Sequence, residues 1–226
     1  MNLNHLAIIM DGNRRWAVSN NLPIYQGHQK GAEVLWEIIN DIDDYSLQYL
    51  TVFVFSTENW KRNKNEIKFL LELLNQFLDK AISKIKNENV KIRFIGDLSV
   101  FSKKIQEKLH FIINETFDNT GPTISLALNY GGRSDIISAT NKILESNINI
   151  ENLNENDFKK FTLNDNIPYP DLLIRTGGEK RLSNFLLWDL AYTELMFIDQ
   201  MWPEFDKKIL DNCILNYSSR VRNYGV

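Results

Sequence analysis

Short runs of β-branched and aromatic residues alternate along this chain with stretches whose apolar residues recur at helical spacing. That alternation constrains the fold more than any other feature. Residues 6–10, 49–55, 90–95, 123–129 and 172–174 have the length and composition of buried strands. Between them, Val34, Leu35, Ile38, Ile39 and Ile42 keep one helix face. Ile67, Leu70, Leu71, Leu74, Phe77, Leu78, Ala81 and Ile85 keep another, in a long helix over 63–85. Asn63, with Glu66 three residues on, reads as a capping pair at its start. Strands that alternate with helices need crossover connections, and hence a parallel sheet covered on both faces. No repeat or Pro/Gly-rich linker divides the 226 residues, so the expectation is one α/β domain over 1–226. The Asn-rich stretch 146–157 reads as a surface connection.

Composition removes several classes. Apolar residues at 43% and charged residues at 24% are ordinary globular usage. A net charge of −3 argues against a nucleic-acid partner, whose phosphates need a basic surface. Cys213 is the single cysteine and His5, His28 and His110 the only histidines, which excludes an intramolecular disulfide and a Cys/His zinc cage. Residues 1–5 lack a signal-peptide pattern, 222–226 lack a lipidation signal, and the apolar runs fall far short of the roughly 20 residues that span a bilayer. The expected location is cytoplasmic.

In a parallel α/β sheet, ligands sit beyond the carboxyl ends of the strands. The segments found there are Asp11-Gly12-Asn13-Arg14-Arg15-Trp16, Ser56-Thr57-Glu58-Asn59-Trp60-Lys61-Arg62, Tyr130-Gly131-Gly132-Arg133 and Arg175-Thr176-Gly177-Gly178-Glu179-Lys180-Arg181. They hold six of the nine arginines. An acidic chain that gathers guanidinium groups at one sheet edge builds a local anion site. Arginine's planar fork suits phosphate oxygens, and glycines let backbone N–H groups approach the same oxygens. Asp11 reads either as a turn residue before Gly12 or, with two arginines beside it, as a magnesium-holding carboxylate facing a diphosphate. His28 reads as a helix-start residue or as a phosphate contact or proton relay. Trp16 and Trp60 read as packing walls. The Leu/Phe-rich helix suits the core and would also suit an apolar ligand tunnel. Residues 41–44 read as a solvated face, because Leu47 breaks an Asp-Asp-x-x-Asp metal motif.

Taken with residues 5–16, 55–60, 129–133 and 171–185 in order, these motifs resemble the cis-prenyltransferases, and the bacterial undecaprenyl diphosphate synthases most of all. The likeness runs from about His5 to Phe205. It implies a homodimer whose subunits each hold an apolar tunnel between a parallel sheet and its helices. It also implies Mg2+-dependent condensation of isopentenyl diphosphate, in cis, onto farnesyl diphosphate. The product would be a long polyprenyl diphosphate of undecaprenyl type, a lipid-carrier precursor for cell-wall glycans, with peripheral membrane contact during release. By motif position, Asp11 would hold the metal, and Gly12, Asn13, Arg14, Arg15, Trp16 and His28 the allylic diphosphate. Ser56, Thr57, Glu58, Trp60 and Arg62 would border the reacting ends, with Asn59 on the proton path although an amide is a poor base. Arg175, Arg181, Leu182 and Ser183 would bind isopentenyl diphosphate, and Glu194 would reach the metal across the dimer. One departure is Ile24, where the family commonly has arginine; Arg14 is placed to replace that contact.

Two rival classes are weaker. A phosphatase with Asp11 as nucleophile expects a second acid two residues on, where Asn13 stands. A non-catalytic accessory subunit would not be expected to keep Asp11, Asn59, Arg175, Arg181 and Glu194 together.

Overall fold

Six strands, all parallel, form one sheet: β1 (His5–Ile9), β2 (Tyr49–Ser56), β3 (Lys91–Ile95), β4 (Thr123–Tyr130), β5 (Leu172–Arg175) and β6 (Glu194–Phe197), in the order β3-β4-β2-β1-β5-β6. The computed structural model describes residues 3–85, 88–146, 148 and 150–220, and of residue 43 the backbone alone. The readings of residues 1–2 and 222–226 lie outside the described residues.

The helices are α1 (Asn13–Ser19), α2 (Ile24–Asn40), α3 (Lys64–Lys84), α4 (Lys103–Glu115), α5 (Gly132–Glu145), α6 (Glu155–Lys159) and α7 (Lys207–Ser218). They cover both faces of the sheet. Every residue of β1 is buried, because successive side chains serve two different cores. Leu6 and Ile8 pack with Val34, Leu35 and Ile38 of α2, whereas Ala7 and Ile9 pack with Leu173, Phe185 and Leu186. A third cluster joins Phe55 and Leu128 to Leu78 of α3 and Leu109 of α4. No helix among the described residues is long and apolar enough to cross a membrane.

Two details differ from the sequence reading, and two refine it. Asn63 does cap α3, its Oδ1 accepting from Asn65 N at 2.9 Å, but Glu66 does not close a reciprocal box. Its carboxylate accepts instead from Arg62 Nη1 at 2.9 Å. The strand β6 is additional. The segment 41–44 is not simply a solvated face: a 3-10 turn (Ile42–Tyr45) buries Ile42, and Asp44 pairs with Lys207. Within 146–157 a 3-10 turn (Ile150–Asn152) is followed by α6, whose start Asn154 caps.

Candidate active site

The carboxyl ends of β1, β2 and β5 open onto one polar cleft of about 590 Å³. Asp11, Asn13, His28, Ser56, Glu58, Asn59, Arg62, Arg175, Arg181, Ser183 and Asn184 line it. The sheet register does this. Ile9 is the last residue of β1 and lies beside Arg175, the last of β5, so Asp11 and the arginine fall on the same edge.

Asp11 is held from both sides. Thr176, fully buried, accepts from Asp11 N at 2.9 Å and donates its hydroxyl to the Asp11 carbonyl at 2.7 Å. The carboxylate accepts from Arg175 Nη2 at 2.8 Å and from Arg15 Nη2 at 3.2 Å. Burial alone would raise its pKa, but the Arg175 hydrogen bond and charge, aided by Arg15, hold it below the usual carboxylate value. Gly12 follows with φ +108°, and a Cβ there would lie 2.8 Å from Met201 Cβ, so glycine is required on both counts. The helix α1 that starts after it has no side-chain cap, which leaves its first N–H groups open to an anion.

Arg175 is almost fully buried. It donates Nη1 to Ser183 Oγ at 2.8 Å and to the Arg181 carbonyl, while its buried Nε has no partner. Arg181 is exposed and pairs with Glu179. Asn59 Oδ1 accepts from Ser56 N at 3.0 Å and so caps the turn after β2. One acceptor site of the amide oxygen is thereby taken, and the amide, which is no base in any case, offers its NH2 donors to the cleft. Burial, with Arg62 nearby, pushes the His28 pKa down to about 4, so the ring is neutral at pH 7. His28 Nε2 and Asn13 Oδ1 are buried without hydrogen-bond partners where the cleft meets an apolar cavity.

That cavity, about 90 Å³, shares Met10, Asn13, His28, Val54 and Leu70 with the cleft and continues between α2, α3 and the sheet. A further cavity of about 40 Å³ adjoins it at Phe77 and Leu126. The apolar path runs where the tunnel is expected, as two small cavities in line and not as one open bore.

Other expected residues stand apart. Arg14 is exposed and approaches His28 only electrostatically. Trp16 lies on α1 outside the cleft lining. Trp60 donates Nε1 to Asn129 Oδ1 at 2.8 Å and packs edge-on to Phe55, a wall behind the site. Thr57 donates to Glu58 Oε2 at 3.2 Å, and Leu182, partly buried, packs against the core cluster that holds Phe185 and Leu186. Glu194 is at the start of β6, paired in register with Leu172, three residues from the edge that carries Arg175. At about 3.3 Å per residue this puts it some 10 Å down the sheet from that edge, and its carboxylate accepts from Arg220 Nη1 at 2.6 Å. Within one chain it is not brought to Asp11. The Gly131-Gly132-Arg133 turn is not free for phosphate either, because Gly132 N and Arg133 N donate to Asn184. Asn184 and Thr176 make contacts, to Glu58 and to Asp11, that the sequence reading passed over; both stand inside motifs already singled out.

Comparison with known proteins agrees with this geometry. The prenyltransferase family model for undecaprenyl diphosphate synthases matches residues 9–225. An isoprenyl transferase of Oceanobacillus iheyensis is 42% identical, covering 98% of this chain and 89% of that protein. The ditrans,polycis-undecaprenyl-diphosphate synthase ((2E,6E)-farnesyl-diphosphate specific) of Micrococcus luteus is 40% identical, covering 98% and 90%. Among solved structures, lavandulyl diphosphate synthase from Lavandula x intermedia, in complex with dimethylallyl diphosphate, superposes with a TM-score of 0.95 at 32% identity, covering 100% of this chain and 99% of that one.

Proposed function

The chain belongs to the undecaprenyl diphosphate synthase family of prenyltransferases, and from that premise we propose that it adds isopentenyl diphosphate units in cis to farnesyl diphosphate, giving a long polyprenyl diphosphate of undecaprenyl type. The observation that carries the reading is the junction of a cationic cleft with an apolar cavity at Asn13 and His28. An allylic diphosphate placed there has its charged head among arginines and its tail against Leu70, Leu74 and Phe77. Burying each methylene is worth about 0.8 kcal/mol, so the path also binds the growing chain.

Asp11 suits magnesium: it is ionised, partly exposed and a hard oxygen donor. No group of three or more His, Cys, Asp or Glu that could hold a metal occurs among the described residues. One carboxylate plus substrate phosphates is the usual way such sites hold magnesium. Bound there, the ion would offset charge on the departing diphosphate. Arg175, Arg181 and Ser183 hold the second diphosphate, and the open N–H groups of α1 with Arg14 and Arg15 hold the first. Neutral His28 and the Asn59 amide orient the reacting ends and keep the proton path short. Location in the cytoplasm, with peripheral membrane contact for product release, belongs to the same reading. So does a homodimer, supported by exposed Tyr192 and Leu195 at the edge strand β6, which also carries Glu194.

The test is elongation of farnesyl diphosphate by labelled isopentenyl diphosphate in magnesium, with product length and double-bond geometry read by chromatography against standards. Cis products of many units are expected. Trans products or no incorporation would overturn the proposal.

A further inference from the structure

Two of the four arginine-bearing segments, and the loop that follows a third, meet at a residue to which the proposed reaction gives no role. Asn184 Nδ2 donates to Glu58 Oε1 at 3.0 Å, in the turn after β2. Its Oδ1 accepts from Arg133 N at 2.9 Å, and its carbonyl accepts from Gly132 N at 2.6 Å, both in the first turn of α5 after β4. Asn184 itself belongs to the loop after β5. It has φ +66°, next to Ser183 at φ +50°, and asparagine tolerates this left-handed backbone. The close approach is built in: a Cβ on Gly131 would lie 2.8 Å from both Asn184 Nδ2 and Thr57 Oγ1. Ser183, directly before Asn184, is the residue whose hydroxyl accepts from Arg175.

We infer that Asn184 is a positioning residue, a clamp that fixes the Glu58 carboxylate at the reacting ends and caps α5 so that its N–H groups do not compete for diphosphate. The inference rests on the prenyl-transfer reading. A primary amide suits the task, because one end must donate to a carboxylate while the other accepts from a backbone N–H. Aspartate would keep the second contact and turn the first into repulsion. Glycine would keep the backbone and lose both.

The experiment is a double-mutant cycle read as kcat for elongation, with folding of each variant checked by thermal unfolding. Asn184→Asp is expected to lower kcat at least about tenfold in the wild-type background and less than about threefold in the Glu58→Gln background, where glutamine can donate to the new carboxylate. Equal losses in the two backgrounds would overturn the clamp. Should Asn184→Asp fail to fold, Asn184→Gly carries the same cycle with the same criterion. A second readout stands apart from turnover. The Glu58 carboxyl, held low against the effect of burial chiefly by the Asn184 hydrogen bond, should titrate higher by 13C NMR in Asn184→Gly. If the wild-type protein elongates nothing, the functional reading fails and this titration alone judges the clamp, an unchanged value rejecting it.

Discussion

Arg175 Nη2 donates to Asp11 Oδ2 across 2.8 Å, so the cation expected to grip one diphosphate is already bound to the carboxylate expected to hold the metal. Each group is therefore occupied until its own ligand arrives, and the two binding events are linked. Removing Asp11 frees Arg175 and also removes a negative charge from the anion site. In the absence of magnesium, Asp11→Ala should bind inorganic diphosphate about 3- to 10-fold more tightly than wild type, roughly 0.7–1.4 kcal/mol. Calorimetry in chelator measures this, and weaker binding by the variant would show that the pair does not gate the site.

Arg175→Ala should raise the Michaelis constant for isopentenyl diphosphate by about 10- to 150-fold, the loss expected for a charge-assisted contact of about 1.5–3 kcal/mol, with farnesyl diphosphate changed far less. Arg181→Ala, at an exposed position, should sit at the low end of that range. Equal effects on both substrates in steady-state kinetics would place these residues in the wrong half of the cleft.

Much of this was legible in the sequence because its cause is local. The strands reveal themselves through β-branched runs, and Asp11, Asn59 and Arg175 through their places just past or at the strand ends. What escaped depends on tertiary pairing. The strand β6 reads Glu-Leu-Met-Phe, with no β-branched residue, and is a strand because β5 offers it a parallel edge. Nothing local to Glu66 says that it will face Arg62 and His28 instead of its own helix start. Likewise, the glycines at 131–132 suggest a phosphate turn until Asn184, some fifty residues later, is seen to take the N–H groups of Gly132 and Arg133.

Exposed Arg14, near His28, and half-buried Ile24 in the first turn of α2 give the unusual pairing a direct test. Arg14→Gly should raise the farnesyl diphosphate Michaelis constant about tenfold, and Ile24→Arg should recover most of that loss in the double variant. Strict additivity would mean that Arg14 does not replace an arginine at position 24.

His5 supplies a pH dependence of stability. Its Nδ1–H donates to the Pro168 carbonyl at 2.7 Å, and Thr51 donates its hydroxyl to Nε2 at 2.8 Å, which fixes the neutral tautomer. Burial lowers its pKa to about 4, against upward pulls from the Pro168 carbonyl and Asp171 and a further lowering from Lys159. Below pH 6.5 the unfolded chain takes a proton that the folded chain refuses, so stability falls as pH drops from 6.5 to about 4. The span corresponds to about 3 kcal/mol at roughly 1.4 kcal/mol for each pH unit. Urea unfolding across that window should show a shallower slope in His5→Gln, and an unchanged slope would assign the effect elsewhere.

Glu194 lies on the sheet edge away from its own Asp11, so any part it takes in the site comes from a second copy. Mixed dimers of Asp11→Ala and Glu194→Ala subunits should then recover about half the wild-type activity, one site carrying both changes and the other neither. No recovery would confine the site to a single chain.

As the carboxylate proposed to organise a diphosphate cleft, Asp11 is tested most directly by elongation with folded Asp11→Ala protein in saturating magnesium. Incorporation of labelled isopentenyl diphosphate into polyprenyl product should fall by at least about a thousandfold, some 4 kcal/mol, while the variant still unfolds in one cooperative transition, at a midpoint lowered because buried Arg175 loses its carboxylate partner. Near-normal incorporation by that folded variant would contradict the account.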